Sequence, residues 1–280
     1  MAFVSPLRYP GGKGRLGHWL REVIASNNLR DCPYIEPFAG GAGAAVFLLT
    51  HGCVSRIHIN DLDPLVSTFW SVVATHPARL AAMVRSAEVT LPARERAKEV
   101  VRNLTNAAPL ELAFSVFLLN RTSRSGILSG GPIGGREQSG RYKVDARFNR
   151  EGLANRIEQI GSLANRITVT QADAADLLSD IGRRKKQLVY CDPPYYVKGH
   201  QLYKSHYADA DHAQIAKSVS RLKCPWLVTY DPHPRIDDLY AEHSKLTFNL
   251  HYSTHLGRPK AEERLFYSSL TLPREPYLHR

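Results

Sequence analysis

The stretch Val189 to Tyr196, VYCDPPYY, ends an apolar run on a carboxylate and follows it with two prolines and two tyrosines. Gln187 to Cys191 reads as a short buried strand. Pro193 and Pro194 each remove a backbone donor and fix φ, so the strand must stop near Asp192. Proline also keeps its preceding residue extended. The result is a carboxylate held in place, with an aromatic pair on a stiff mount beside it. Such a group suits chemistry that needs a fixed hydrogen-bond acceptor.

Two glycine clusters lie upstream, PGGKGRL (Pro10 to Leu16) and EPFAGGAGAAVFLL (Glu36 to Leu49). The second reads as strand, turn and helix: Tyr34 and Ile35 extended, Gly40 to Gly43 turning, Ala44 to Leu49 helical. Glycines after a first strand let the backbone approach a ligand, and an acid about 20 residues on, at the end of the second strand, suits ribose hydroxyls. Asp61 is that acid. The dinucleotide fingerprint needs a third glycine, whereas Gly41, Ala42, Gly43 is followed by Ala44, Ala45, Val46. A P-loop ending on Gly12 and Lys13 would need glycine at Leu7 and a hydroxyl residue at Gly14, and has neither. A nucleoside cofactor without pyrophosphate, such as S-adenosylmethionine, fits these residues better than NAD or a nucleoside triphosphate.

The elements that must position these groups follow from the patterning. Arg56 to Ile59, Thr168 to Thr170, Leu188 to Cys191 and Trp226 to Thr229 read as strands. Ala174 to Leu178 and Ala213 to Leu222 read as helices, and KLTFNLHYS with RLFYSSL alternates like an antiparallel pair. The fold class expected is α/β, a Rossmann-like core whose mostly parallel sheet has an antiparallel edge. Residues 1–75 and 165–280 form this core. Residues 76–164 form an inserted, mainly helical domain, with a helical pattern from Arg79 to Asn103 and an apolar helix from Glu111 to Leu119. LANRI occurs twice, at Leu153 and Leu163, first in a helix and then running into a strand; two copies do not make a repeat architecture.

The chain has 280 residues, 43% hydrophobic and 22% charged, which is ordinary for a folded protein. A net charge of +11 is not ordinary, and points to a polyanionic partner, most often nucleic acid, or to an anionic membrane surface. Arg121 to Arg150 holds seven basic residues against two acidic ones and is rich in glycine, so an outward-reaching loop or hairpin is expected there. The four cysteines, Cys32, Cys53, Cys191 and Cys224, are widely spaced and read as buried thiols. His251 and His255 in HYSTH lack the glutamate of a zinc protease, and no metal is required. Neither a signal peptide nor a membrane span is encoded, so a cytoplasmic protein without a membrane partner is expected.

Taken together, RYPGGK (Arg8 to Lys13), EPFAGGAG (Glu36 to Gly43), IND (Ile59 to Asp61) and DPPY (Asp192 to Tyr195) resemble the DNA adenine methyltransferases of the Dam type, in the family's order. NRTSRSG (Asn120 to Gly126), the pattern from Phe148 to Ile157 and EERLFYS extend the resemblance over most of the chain. It implies site-specific transfer of a methyl group from S-adenosylmethionine to adenine N6, on a base flipped out of double-stranded DNA. Asp192 and the Pro193 carbonyl would accept from the amine, Pro194 would stiffen the mount, and Tyr195 would stack on the base. Tyr9, Lys13, Glu36, Phe38, Gly40, Asp61, Asp173 and Asp192 match cofactor positions. Arg121, Arg124, Arg141 and Lys143 lie where the family carries its DNA recognition segment. SRSGILSGGPIGGRE is richer in glycine than in the better-known members and lacks the aromatic expected after NRT, so the sequence leaves the target open between their GATC and another site.

Two other readings differ in class: an inactive accessory protein that keeps the fold and binds DNA, or a methyltransferase for cytosine N4 or RNA. The first should show a broken DPPY or a lost Lys13, and the cytosine form more often begins with serine. A monomer is expected, and whether a cognate restriction endonuclease accompanies it is left open by the sequence.

Overall fold

The computed structural model describes residues 5–9, 12–197, 207–251 and 260–278. Pro10 and Gly11 of the first glycine motif, and His255 of HYSTH, lie outside the described residues. Strands β1 (Tyr34–Glu36), β2 (Ile57–Asn60), β3 (Ile167–Thr170), β4 (Leu188–Cys191), β5 (Trp226–Tyr230), β6 (Ser244–His251) and β7 (Lys260–Ser268) form one sheet. Its order is β3-β2-β1-β4-β5-β7-β6. β1 to β5 run parallel, and β7 and β6 close the edge antiparallel. This is an α/β, Rossmann-like arrangement, with the antiparallel edge that the tail's alternation predicts.

β4 and β5 are buried along their whole length, because helices cover both faces. Successive side chains on a strand point to opposite faces. Leu188, Tyr190 and Leu227 accordingly join one hydrophobic cluster, and Val189, Cys191, Trp226, Val228 and Tyr230 join the other. The first is covered by α1 (Gly17–Ser26), α2 (Gly43–Thr50) and α3 (Pro64–Thr75), the second by α8 (Ala174–Ile181), α9 (Asp209–Ser220) and α10 (Pro234–Leu239).

Between α3 and β3 the chain forms α4 (Pro77–Arg85), α5 (Leu91–Arg102), α6 (Pro109–Thr122) and α7 (Arg150–Gly161). Their apolar faces join the same cluster as α1 to α3, so this insertion shares the core of the sheet's first face. The helical pattern from Arg79 to Asn103 resolves into two helices. Thr90 caps α5 by accepting from the Ala93 amide at 3.2 Å, and proline follows in its first turn, so the chain breaks at Ser86 to Thr90. The first LANRI copy lies in α7, and the second runs through a short 3-10 turn into β3. α3 is a helix that the strand-centred reading of the sequence does not include; Asp63 caps it through the Leu65 amide at 2.9 Å.

Residues 127–149 form no helix or strand. A single bridge joins Ser123 to Pro132, and Gln138 ties the loop together by donating to the Ile133 carbonyl and accepting from the Val144 amide. The four cysteines are buried and free. Among the described residues no helix is long and apolar enough to cross a membrane.

Candidate active site

The sheet's order reverses between β1 and β4, and in such sheets ligands bind outside the carboxyl ends of the strands at that point. Glu36 ends β1 and Asp192 follows β4. A crevice opens there, with Tyr9, Lys13, Glu36, Phe38, Tyr190 and Asp192 among its lining residues. Tyr190 and Asp192, two apart, point to the same face.

The glycine loop is shaped by its neighbours. Gly40 has φ +46°, and a Cβ there would lie 2.6 Å from the Tyr9 ring. A Cβ at Gly43 would lie 2.8 Å from the Gly14 Cα. The glycines thus let the N-terminal segment lie directly on the loop, and that contact brings Lys13 under DPPY. Asp61 holds the loop from below. Its carboxylate accepts from the Gly40 amide at 2.8 Å and the Asp63 amide at 3.0 Å. Burial raises its pKa to about 6. Trp70 donates to the Gly40 carbonyl at 2.9 Å.

Lys13 is buried, and its Nζ donates to both Asp192 oxygens, at 2.8 and 3.0 Å, and to the Tyr195 hydroxyl at 3.1 Å. Glu263 Oε2 lies 3.4 Å away. Burial disfavours the ammonium, but the pull of Asp192 and Glu263 outweighs it and holds the Lys13 pKa well above its ordinary value. The Tyr195 hydroxyl donates to Glu263 Oε1 at 2.5 Å. Thr229 donates to Asp192 Oδ1 at 2.7 Å, and its hydroxyl pairs with that of Tyr190 at 3.0 Å.

Glu263 and Thr229 are functional candidates that the motifs alone do not mark. Thr229 is paired with Leu265 across β5 and β7. Leu265 belongs to the first-face cluster, and Glu263, two residues away, shares its face. The signal in the sequence is a lone acid in phase with the inward residues of RLFYSSL, but it can be read only once the strand's partner is known. Asp231 is a third such residue. Its carboxylate accepts from the Tyr196 and Val197 amides at 2.8 and 3.1 Å, and so fixes the chain just beyond DPPY. Tyr196 itself packs against His233 with ring centroids 4.2 Å apart and the rings tilted, and donates to Asp209 at 3.0 Å.

The other sequence candidates fall in different places. Phe38 lines the crevice and meets Tyr207 edge-on at 5.9 Å. Asp173 caps α8 through the Ala175 amide at 2.8 Å. Pro193 and Pro194 follow Asp192 in chain without regular secondary structure. Arg124, in the 3-10 turn just before the long loop, and Arg141 and Lys143 on it are exposed. Arg121 is half-buried and donates to the Arg147 carbonyl at 2.8 Å. Its pKa is pushed down to about 9 by burial and by Arg8, Arg156 and Arg147.

Glu36 offers a test of the crevice's electrostatics. Its Oε1 accepts from the Tyr34 hydroxyl at 2.9 Å and the Ala45 amide at 3.0 Å, yet burial raises its pKa to about 8 from 4.5. The protonated acid is the form that the fold favours. Its contribution to stability is therefore fully present below about pH 4.5 and is lost as pH rises through about 8. Glu36→Gln keeps an oxygen for both donors and removes the titration. Thermal denaturation from pH 5 to 8.5 should show the wild type losing stability relative to the variant, at roughly 1.4 kcal/mol per pH unit between the two pKa values. Parallel curves would refute this.

The crevice fits S-adenosylmethionine. It combines the aromatic walls of Tyr9 and Phe38, the backbone of Gly41 to Ala44, the carboxyl group of Glu36 and the carboxylate of Asp192. Its glycine loop is packed so closely that a side chain at Gly40 or Gly43 would collide with the N-terminal segment. Among the described residues the only basic group on its wall is Lys13, which is already paired with carboxylates. A pyrophosphate would find no unpaired cation among them.

A family model described as D12 class N6 adenine-specific DNA methyltransferase matches residues 9–256. No curated protein sequence matches the chain. Among solved structures, the rRNA methyltransferase aviRa from Streptomyces viridochromogenes is similar at 15% identity and TM-score 0.40, covering 90% of this chain and 82% of that one. A Pyrococcus horikoshii protein described as a candidate RNA methyltransferase is similar at 11% identity and TM-score 0.42, covering 93% of this chain and 84% of that one. A candidate methyltransferase from Streptococcus mutans in complex with SAH is similar at 8% identity and TM-score 0.34, covering 90% of this chain and 95% of that one.

Proposed function

The chain belongs to the D12 class N6 adenine-specific DNA methyltransferase family, and we propose that its crevice methylates the exocyclic amine of an adenine flipped out of duplex DNA. The observation that carries this reading is the state of Asp192. An ionised carboxylate has about four lone-pair sites. Thr229 and the two contacts from Lys13 occupy three of them, which leaves room on Oδ2 for one more donor, the N6–H.

An adenine amine is a poor nucleophile because its lone pair is conjugated with the ring. Acceptors at its two hydrogens, Asp192 and the Pro193 carbonyl, favour a pyramidal nitrogen with its lone pair aimed into the crevice. S-adenosylmethionine, when bound, supplies a methyl group on a positively charged sulfur. Lys13 and Thr229 fix Asp192 before the reaction, so no reorientation is needed as positive charge grows on N6. The surplus N6 proton then passes to Asp192. Tyr195 is held by Glu263 and Lys13 beside the acceptor, and offers its ring to the base. Residues 76–164 would form the recognition domain, with Arg124 and, on the exposed loop, Arg141 and Lys143 meeting DNA. Tyr9, Glu36 and Phe38 would contact the cofactor, and Asp61 would act through the Gly40 loop it supports.

Incubation with methyl-labelled S-adenosylmethionine and duplex DNA of mixed sequence should place label on adenine N6, and mapping of modified adenines would give the target. Label on cytosine, on RNA alone, or on nothing would overturn this reading.

A further inference from the structure

A second basic surface lies at the opposite end of the sheet from the crevice. Residues 182–187 precede β4, and residues 221–225 precede β5. They contain Arg183, Arg184, Lys185, Lys186, Arg221 and Lys223, and no acid. These six side chains exceed half of the chain's net charge of +11. All six residues are exposed. The two loops are held against one another, because Lys223 donates its amide to the Gly182 carbonyl at 3.0 Å and β4 pairs with β5.

Elsewhere surface arginines such as Arg85, Arg235 and Arg274 meet carboxylates. Among the described residues none of these six does; Asp180, at the end of α8, is the one acid close to them in sequence. The fold thus fastens like charges together, which is unfavourable unless a polyanion meets them.

From this patch we infer a second DNA-binding surface, which takes the phosphate backbone of a duplex segment other than the one being methylated. The inference rests on the DNA methyltransferase reading above. Asp192 follows the carboxyl end of β4 and the patch precedes its amino end, so the strand's length, about 13 Å, and the loops beyond it separate the two. Duplex DNA is stiff over about 150 base pairs. A duplex seated on the crevice therefore cannot fold back to the far end of the sheet within the length of one site, and two segments are needed. The patch is rich in cations and has no aromatic residue in either loop. That suits paired phosphates rather than the unstacked bases of single strands.

The test uses the quadruple variant R183Q/R184Q/K185Q/K186Q and duplexes of about 20 base pairs, too short to reach both surfaces. Wild-type protein should bring donor- and acceptor-labelled duplexes together, seen as energy transfer, and the variant should lose that signal. Methylation of a single short duplex should stay within about twofold, since the crevice is untouched. On long DNA the slope of log K against log salt should fall by about 2 to 3, at roughly 0.9 for each phosphate that is no longer neutralised. Absent bridging in the wild type, equal bridging in the variant, or loss of RNA binding alone would overturn the inference. Bridging by a protein that methylates no DNA would sink the proposed function and leave this surface standing.

Discussion

Asp192→Ala should lower methyl transfer by about 10³-fold, since under the proposed function it removes the acceptor that both orients the amine and takes its proton. A factor of that size corresponds to about 4 kcal/mol of transition-state stabilisation. The loss should appear in single-turnover rates at saturating S-adenosylmethionine. DNA affinity should change by less than about threefold, because backbone contacts dominate duplex binding. Equal loss of binding and turnover would mean that Asp192 supports the fold rather than the reaction. That outcome is unfavoured by its position, because its side chain is 22% exposed at the crevice whereas Glu263 behind it is 1% exposed.

Lys13→Met should have the largest effect on stability. Without the ammonium, the Asp192 and Glu263 carboxylates lie beside an apolar side chain, and Glu263 has no route to water. Breaking a buried ion pair from one side costs about 3–5 kcal/mol. At roughly 2–4 °C per kcal/mol for a chain somewhat smaller than this one, the melting temperature should fall by about 10 °C. Adding Glu263→Gln removes one of the stranded charges while keeping an acceptor for Tyr195. The double variant should therefore melt above Lys13→Met, and the difference measures the coupling. If Lys13→Met melts within about 2 °C of the wild type, the lysine is not holding two charges together. Activity should fall in both variants, because Tyr195 and Asp192 lose their common anchor.

These two expectations rest on different kinds of information. The position of Asp192 was legible in the sequence because it is set locally. A strand that ends on a carboxylate before two prolines can hardly place that carboxylate anywhere but at the strand's mouth. The order of the glycine loop, the acid after β2 and DPPY was legible for the same reason, as were the five parallel strands and the alternating tail. Each is written in a few consecutive residues whose spacing is set by backbone geometry. The break at Ser86 to Thr90 was less visible, because both helices it separates have the same charged, helical composition. The cap at Thr90 becomes decisive only when the apolar faces of α4 and α5 must both reach the core.

The order of residues is enough to specify the place of Asp192 at the mouth of β4, the succession of the strands and the family to which the motifs belong. Which residues act together is a matter of tertiary packing. Lys13 and Glu263 are 250 positions apart, and they meet because β7 enters the sheet antiparallel to β5 with Leu265 opposite Thr229. A shift of that register by one residue would turn Glu263 to the other face. The same holds for Asp61, whose carboxylate becomes the support of Gly40 only when β1 and β2 lie side by side. It holds also for the basic loops before β4 and β5, which become one surface only because those strands are neighbours. Pairing across a sheet is fixed by the sum of many buried contacts, and no short stretch of sequence contains that sum.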